Sequence, residues 1–329
     1  MKIGMLSFAH MHAGSYASCL QQLPDVKLAG IWDENQDRGI EMAKRFGSRY
    51  YADHETLLVE DDIAGVIVCA ANVDHRWLTE AAAAAGKHVL CEKPLATSLE
   101  DAHAMIRACD EAGVILQTAF PVRFSPPVQE VQHMIAAGKI GPVLAAKTTN
   151  HGRMPGGWFI DPEKSGGGAV IDHTVHVVDL LRWILDQEVV EVYAEVGTLL
   201  HPGLPVDDAG LLHLRFESGF FATLDASWSR PSIFPTWGDV TMEIIGRDGV
   251  IHLDAFAQNV NLYSQVDQQV AWVNWGSNMD LGLVRSFVDA IAENKPPLIT
   301  GYDGLKALEV ALAAYRSAQT GQPVPLPLE

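Results

Sequence analysis

Over its first 120 or so residues the chain alternates short apolar runs with amphipathic stretches, and that alternation leaves few folds open. Lys2–Leu6, Val26–Trp32, Ala64–Cys69, Val89–Cys91 and Val114–Thr118 read as buried strands. Between them, Ala13–Leu23, Gln36–Phe46, Thr56–Val59 and Asp74–Ala85 read as helices. So does a segment that repeats Leu99, Ala102, Met105, Ile106 and Cys109 on one face. Pro24-Asp25, Gly47, Gly86 and Gly113 supply the stops, and Thr97-x-x-Glu100 predicts a capping box. Strands separated by helices return to the same edge, so they pair in parallel. The expected product is a doubly wound parallel sheet over residues 1–119.

The first strand, loop, helix and second strand have the layout of a dinucleotide-binding unit. Asp33, at the tip of the second strand, lies 21 residues beyond His12, where an acid would meet a ribose diol. The glycine fingerprint is absent. Its place is taken by Ser7, Phe8, Ala9, His10, Met11 and His12. The helix that follows still offers free amides and a positive dipole end to a phosphate. His10 and His12 are a histidine pair without a third ligand nearby in sequence, so no metal site is expected. The alternative is that both are ordinary polar loop residues. Ala70, Ala71 and Asn72 end a further strand, and His75 opens the helix after it. They are candidate cofactor contacts by position.

Glu92 and Lys93 stand where a strand emerges at the carboxyl edge of the sheet, the edge at which open α/β folds bind ligands. Pro94 removes a donor and restricts the backbone of Lys93. The competing reading is a solvated ion pair before a turn.

After Ala119 the texture changes, and a second domain is expected over residues 120–329. A helix over Val128–Ala137 leads into a long loop carrying Arg153, Pro155-Gly156-Gly157-Trp158 and Asp161-Pro162. Gly166-Gly167-Gly168 then opens a helix in which Asp172, His176 and Asp179 share a face. Its neighbours Val170, Ile171, Val175, Val177 and Val178 predict burial. Strand-like segments follow at Val189–Val196, Gly210–Phe216, Phe220–Trp228, Val240–Ile245 and Val250–Leu253. Turns at Glu217-Ser218-Gly219 and Arg247-Asp248-Gly249 make this a mostly antiparallel sheet. Leu283–Glu293 and Gly304–Gln319 close the chain as helices, the latter expected to pack back on the first domain. The Pro-rich tail from Pro323 to Glu329 reads as extended.

Composition excludes several functions. The chain has 329 residues, 48% hydrophobic and 19% charged, with a net charge of −18. That balance argues against nucleic acid and anionic membrane as partners. No apolar run reaches membrane-spanning length, and the N-terminus does not read as a signal peptide. The 4 cysteines are scattered without a Cys-x-x-Cys, as in a reduced cytoplasmic chain.

Ala85–Ala96 with its Glu92-Lys93-Pro94, Arg123-Phe124, and Gly166-Gly167-Gly168-Ala169 followed by Asp172-x-x-x-His176-x-x-Asp179 carry a resemblance. The chain resembles the glucose–fructose oxidoreductase/inositol dehydrogenase family, Gfo/Idh/MocA, over essentially its whole length. The resemblance implies a Rossmann domain followed by an α/β domain with an open sheet. It implies a nicotinamide cofactor and redox chemistry at a carbinol carbon of a sugar, polyol or inositol-like compound. It assigns Lys93 as the active-site lysine, with Asp172 and His176 as its partners across a cleft. Arg123, His151, Arg153, Trp158 and His173, with Trp228 and Trp237, are candidates for the substrate pocket. A homodimer or homotetramer is implied as well.

Two departures from the family pattern stand out: the loop without glycines, and Thr174 where the family usually carries glycine, which is expected to narrow the substrate pocket. Asp33-Glu34 with no arginine immediately after favours NAD over NADP. Two other readings compete with a dehydrogenase. One is an enzyme that keeps NAD bound and uses transient oxidation for elimination, glycoside cleavage or epimerisation. The other is a non-catalytic sensor of dinucleotide or sugar.

Overall fold

The structure is a computed structural model that describes residues 1–257, 259–266, 268–274 and 276–328. It divides into two compact units. The first comprises Met1–Pro121, Glu163–Gly166 and Asp280–Leu308; the second holds Val122–Pro162, Gly167–Met279 and the chain from Glu309 onward.

In the first unit, strands β1 (Lys2–Leu6), β2 (Lys27–Trp32), β3 (Arg49–Tyr50), β4 (Ile63–Val68), β5 (His88–Cys91) and β6 (Leu116–Thr118) form one sheet. The order is β3-β2-β1-β4-β5-β6, with every pair parallel. The order reverses between β1 and β4, which makes their carboxyl ends the topological switch point. Helices α1 (Ala13–Gln22), α2 (Gln36–Phe46), α3 (His54–Leu58), α4 (His75–Ala84) and α5 (Leu99–Ala112) are the connections. Ile3, Met5, Val66, Ile67, Val89 and Leu90 are all 0% exposed. Burial on both faces is why these strands read as unbroken apolar runs, and each such side chain contributes about 1.5–3 kcal/mol. The cap of α5 falls one residue later than the sequence reading: Ser98, not Thr97, accepts the Asp101 amide at 3.1 Å. The two-residue edge strand β3 has no sequence signature of its own.

Past Pro121 the chain runs α6 (Pro126–Ala136), β7 (Val143–Gly152), α7 (Pro162–Ser165), α8 (Ala169–Leu185), β8 (Val189–Gly197), β9 (Ala209–Phe216) and β10 (Phe221–Ser227). It continues through β11 (Gly238–Gly246), β12 (Val250–Asp254), β13 (Asn259–Ser264), β14 (Gln269–Asn274), α9 (Met279–Glu293), α10 (Gly301–Thr320) and β15 (Val324–Pro325). The second unit's main sheet has the order β12-β11-β7-β10-β9-β8-β15. Only β7 and β10 pair in parallel; the other neighbours are antiparallel. The Pro-rich tail supplies its edge strand β15, and Glu329 lies outside the described residues.

The central strand β7 corrects the sequence reading, which took its residues as loop. Lys147-Thr148-Thr149-Asn150-His151 is too polar to look like an interior strand. Two of its buried donors find acceptors locally: Thr148 Oγ1 donates to the Thr223 carbonyl at 2.7 Å, and Asn150 Nδ2 to the Asp239 carbonyl at 2.9 Å. Helix α8 packs on β7, β9 and β10. Its N-terminal residue Gly168 has no side chain to cap the helix, so the cap comes from elsewhere in the unit. The Asp207 carboxylate accepts from the amides of Gly168 at 2.9 Å and Val170 at 2.7 Å. Tyr315 of α10 donates its hydroxyl to Asp207 at 2.8 Å and accepts from the Ile171 amide at 3.2 Å. A Cβ on Gly168 would overlap the Asp207 carbonyl.

Candidate active site

At the tip of β1, Ser7 occupies the first glycine position with φ 72°, a left-handed conformation that a side chain adopts at a cost. It is held there from both sides. Its amide donates to the Trp32 carbonyl at 2.8 Å, and its Oγ accepts the Ala9 amide at 3.0 Å. The loop therefore reproduces the glycine turn without the glycine. No side chain caps α1 at His12; the Ala13 amide donates to the His10 carbonyl at 3.1 Å, and the dipole end of the helix still favours an anion. Ser7, Phe8 and His10 are buried, while Met11 is 45% exposed.

Asp33 sits at the tip of β2, as the spacing predicts, but its carboxylate is fully engaged. Oδ2 accepts from the Phe8 amide at 2.8 Å and Arg38 Nε at 2.9 Å. Oδ1 accepts from the Asn35 amide at 2.7 Å and Arg38 Nη2 at 2.8 Å. Four donors fill the four acceptor positions of a carboxylate. A ribose diol reaches Asp33 only when Arg38 swings away. The arginine that the sequence reading missed comes five residues later, in the first turns of α2, and it also bonds Glu34 at 2.5 Å.

At the end of β5, Glu92 is 0% exposed and Lys93 4%. Glu92 Oε2 accepts the Lys93 amide at 3.0 Å, and Oε1 receives His12 Nδ1 at 3.0 Å. Burial alone would raise the carboxyl's pKa, but His10, His12 and Lys93 hold it far below the usual carboxylate range. Burial works against charge on His12, yet Glu92 outweighs it and raises the imidazole. So Glu92 and the histidine loop form one cluster, which their separation in sequence hides. His75, expected to touch cofactor, is instead 0% exposed and donates Nδ1–H to the Pro94 carbonyl at 3.0 Å. It braces the turn from behind, and burial lowers its pKa. Ala70, Ala71 and Asn72 lie buried at the β4 tip, where Asn72 Nδ2 donates to the Ser165 carbonyl at 2.8 Å.

In the second unit, α8 carries Asp172 in its first turn. Asp172 Oδ2 accepts Trp228 Nε1–H at 3.2 Å and lies 3.3 Å from His173 Nε2. His173 Nδ1 donates to the Asn150 carbonyl at 2.9 Å. Trp228 is 1% exposed, so its indole N–H aims the carboxylate from inside the fold. His176, one turn on, is half-buried. Thr174 is 0% exposed and packs inside the unit, so it does not narrow a pocket as expected. Arg123 also differs from expectation: its guanidinium forks onto Asp179, Nε to Oδ2 at 2.8 Å and Nη2 to Oδ1 at 2.5 Å. That pair is buried and ties α8 to the start of the unit.

Strand alternation puts His151 on the sheet face opposite α8, away from Asp172. Its ring nitrogens meet Asp239 at 2.9 Å and Asp225 at 3.1 Å. Burial disfavours its charge, but those two carboxylates outweigh it and raise the imidazole to about 9. Arg153 donates to the Phe234 carbonyl, Trp158 stacks on Phe159, and Trp237 packs edge-on against His173.

Two outcomes follow. Arg123→Ala strands a buried Asp179 and is expected to cost roughly 3–5 kcal/mol in denaturant unfolding. His151, raised in the fold, contributes stability that is complete below its unfolded pKa of about 6.5 and is lost as pH rises through about 9. Between those values the wild type should lose thermal stability that His151→Gln does not.

Residues 3–120 match the oxidoreductase family with an NAD-binding Rossmann fold, and residues 128–252 match the Gfo/Idh/MocA C-terminal domain. The chain is 30% identical to the myo-inositol 2-dehydrogenase of Thermotoga maritima, covering 99% of this chain and 98% of that one. It is likewise 30% identical to the 1,5-anhydro-D-fructose reductase of Ensifer adhaerens, over 90% of each. The crystal structure of GenD2 from gentamicin A biosynthesis, in complex with NAD, superposes with a TM-score of 0.91 at 26% identity over 100% and 97% of the two chains. With both of its domains accounted for in this way, the chain belongs to the Gfo/Idh/MocA family of NAD-binding oxidoreductases.

Proposed function

We propose that the protein moves hydride between NAD and a carbinol carbon of a sugar, polyol or inositol-like substrate. The observation that carries this reading is the Glu92-Lys93-Pro94 turn, held at the carboxyl edge of the sheet beside the switch point. The relatives over the whole chain include inositol dehydrogenases and a sugar reductase.

The bound nicotinamide supplies the hydride acceptor. Ser7 and the α1 amides would hold its pyrophosphate, with Phe8, Ala9 and Met11 completing the loop and Ala70, Ala71 and Asn72 bordering the next strand. Asp33 would take the adenosine ribose once Arg38 moves. Lys93 would donate a hydrogen bond to the reacting oxygen and stabilise the negative charge that develops there. His176 would take the hydroxyl proton, a role open to an imidazole side chain. Asp172, fixed through one oxygen by Trp228, would turn the other toward a substrate hydroxyl or the histidine. NAD is favoured over NADP because Asp33 and Glu34 together outnumber the one cation, Arg38, beside them.

A homodimer or homotetramer fits the sheet face that α8 leaves uncovered, where Leu211, Phe221 and Ile245 are exposed. No described helix is long and apolar enough to cross a membrane. The 4 cysteines are buried and outside any disulfide, as suits a cytoplasmic chain.

Lys93→Met and His176→Asn test the roles. Each is expected to retain NADH binding, followed by cofactor fluorescence, while turnover of the best sugar or inositol falls by roughly a hundredfold to ten-thousandfold. Unchanged turnover in both variants overturns the assignment.

A further inference from the structure

Loss of the fingerprint glycines leaves two imidazoles and a carboxylate converging at one point of the first unit. His10 Nδ1 lies 3.5 Å and His12 Nδ1 3.0 Å from the same oxygen, Glu92 Oε1. The three potential ligand atoms all fall within 4.8 Å of one another. An ion bound tetrahedrally at 2.0–2.1 Å from its ligands sets them about 3.3 Å apart, and the two measured separations bracket that edge.

We propose that His10, His12 and Glu92 form a binding site for a divalent cation of the zinc class. Two nitrogen donors exclude magnesium and calcium, which take oxygen ligands. Two histidines and one glutamate are a donor set that zinc accepts with a fourth position open. The open side lies toward His12, whose side chain is 32% exposed, against 1% for His10 and 0% for Glu92.

The surroundings suit an added cation. Glu92 Oε2 is fixed by the Lys93 amide at 3.0 Å, which orients the other oxygen inward as an outer shell does for a metal ligand. Asp280 of α9 acts electrostatically on His12 and accepts Ser15 Oγ–H at 2.5 Å. Glu92 and Asp280 carry two negative charges against the single positive charge of Lys93, so the neighbourhood is short of cationic charge while the histidines are neutral. Binding displaces two contacts, the His12 amide donated to His10 Nδ1 at 3.2 Å and the hydrogen bond between His12 Nδ1 and Glu92 Oε1 at 3.0 Å. The alternative arrangement of these groups is a metal-free cluster in which His12 simply donates to Glu92.

The test uses the full chain, stripped with EDTA and dialysed, with no dinucleotide present. Zn²⁺ uptake is measured by equilibrium dialysis with elemental analysis, and Co²⁺ is followed by its visible absorption. One ion per chain is expected, with Zn²⁺ displacing the Co²⁺ band. His12→Asn, a partly exposed change, should bind roughly a hundredfold more weakly while keeping the wild-type circular dichroism. Glu92→Gln should do the same where it folds. No uptake at millimolar ion, or equal uptake by wild type and His12→Asn, overturns the proposal. Because cofactor binding is measured separately on the stripped protein, that failure leaves the oxidoreductase reading intact.

Discussion

A carboxylate with no solvent exposure needs compensation, and the ligand-binding edge of the first unit is arranged around that need. Glu92 ends β5 at 0% exposure. Burying an unpaired carboxylate costs several kcal/mol or more, so its neighbours are not free to vary. The Lys93 amide takes one oxygen, and His12 takes the other. That explains why a histidine stands where close packing of helix and strand would call for glycine. The imidazole is the partner of a charge brought in by another strand. Ser7 then completes the turn at positive φ, with its own hydroxyl anchoring the strained loop.

The second unit solves a different problem by the same means. Helix α8 carries Asp172 and His176 in a nearly buried position, yet the residues that lead into it are glycines that cannot cap it. Asp207 and Tyr315 cap it from other elements, and Arg123 neutralises Asp179 on its inner side. The residues proposed to react thus sit on a helix fixed at its start and along its length, which is what positioning to within fractions of an ångström requires.

The parallel sheet was readable because its interior strands are apolar on both faces, and α8 because its valines fall between glycines and a polar face. Asp33 and the Glu92-Lys93 turn were readable from position alone. What sequence hid was pairing across distance. Strand β7 looked like a loop because the acceptors of Thr148 Oγ1 and Asn150 Nδ2 lie on neighbouring strands. Arg123 and His151 looked like pocket residues because nothing local announces Asp179, Asp225 or Asp239 as their partners. His75 sits three residues past the β4 tip segment, yet a carbonyl of the adjacent turn draws its ring inward. Charged side chains near a ligand edge are ambiguous for this reason: the same guanidinium or imidazole serves a substrate or a buried acid, and only the fold says which.

Hydride transfer itself is the most direct test of the account. Glucose and myo-inositol deuterated at their carbinol carbons would be incubated with NAD and the protein, and the released cofactor examined by mass spectrometry and NMR. The account predicts a reduced cofactor one mass unit heavier, with deuterium at nicotinamide C4. Substrate consumed while the cofactor stays oxidised and unlabelled would contradict it and mark the redox as transient.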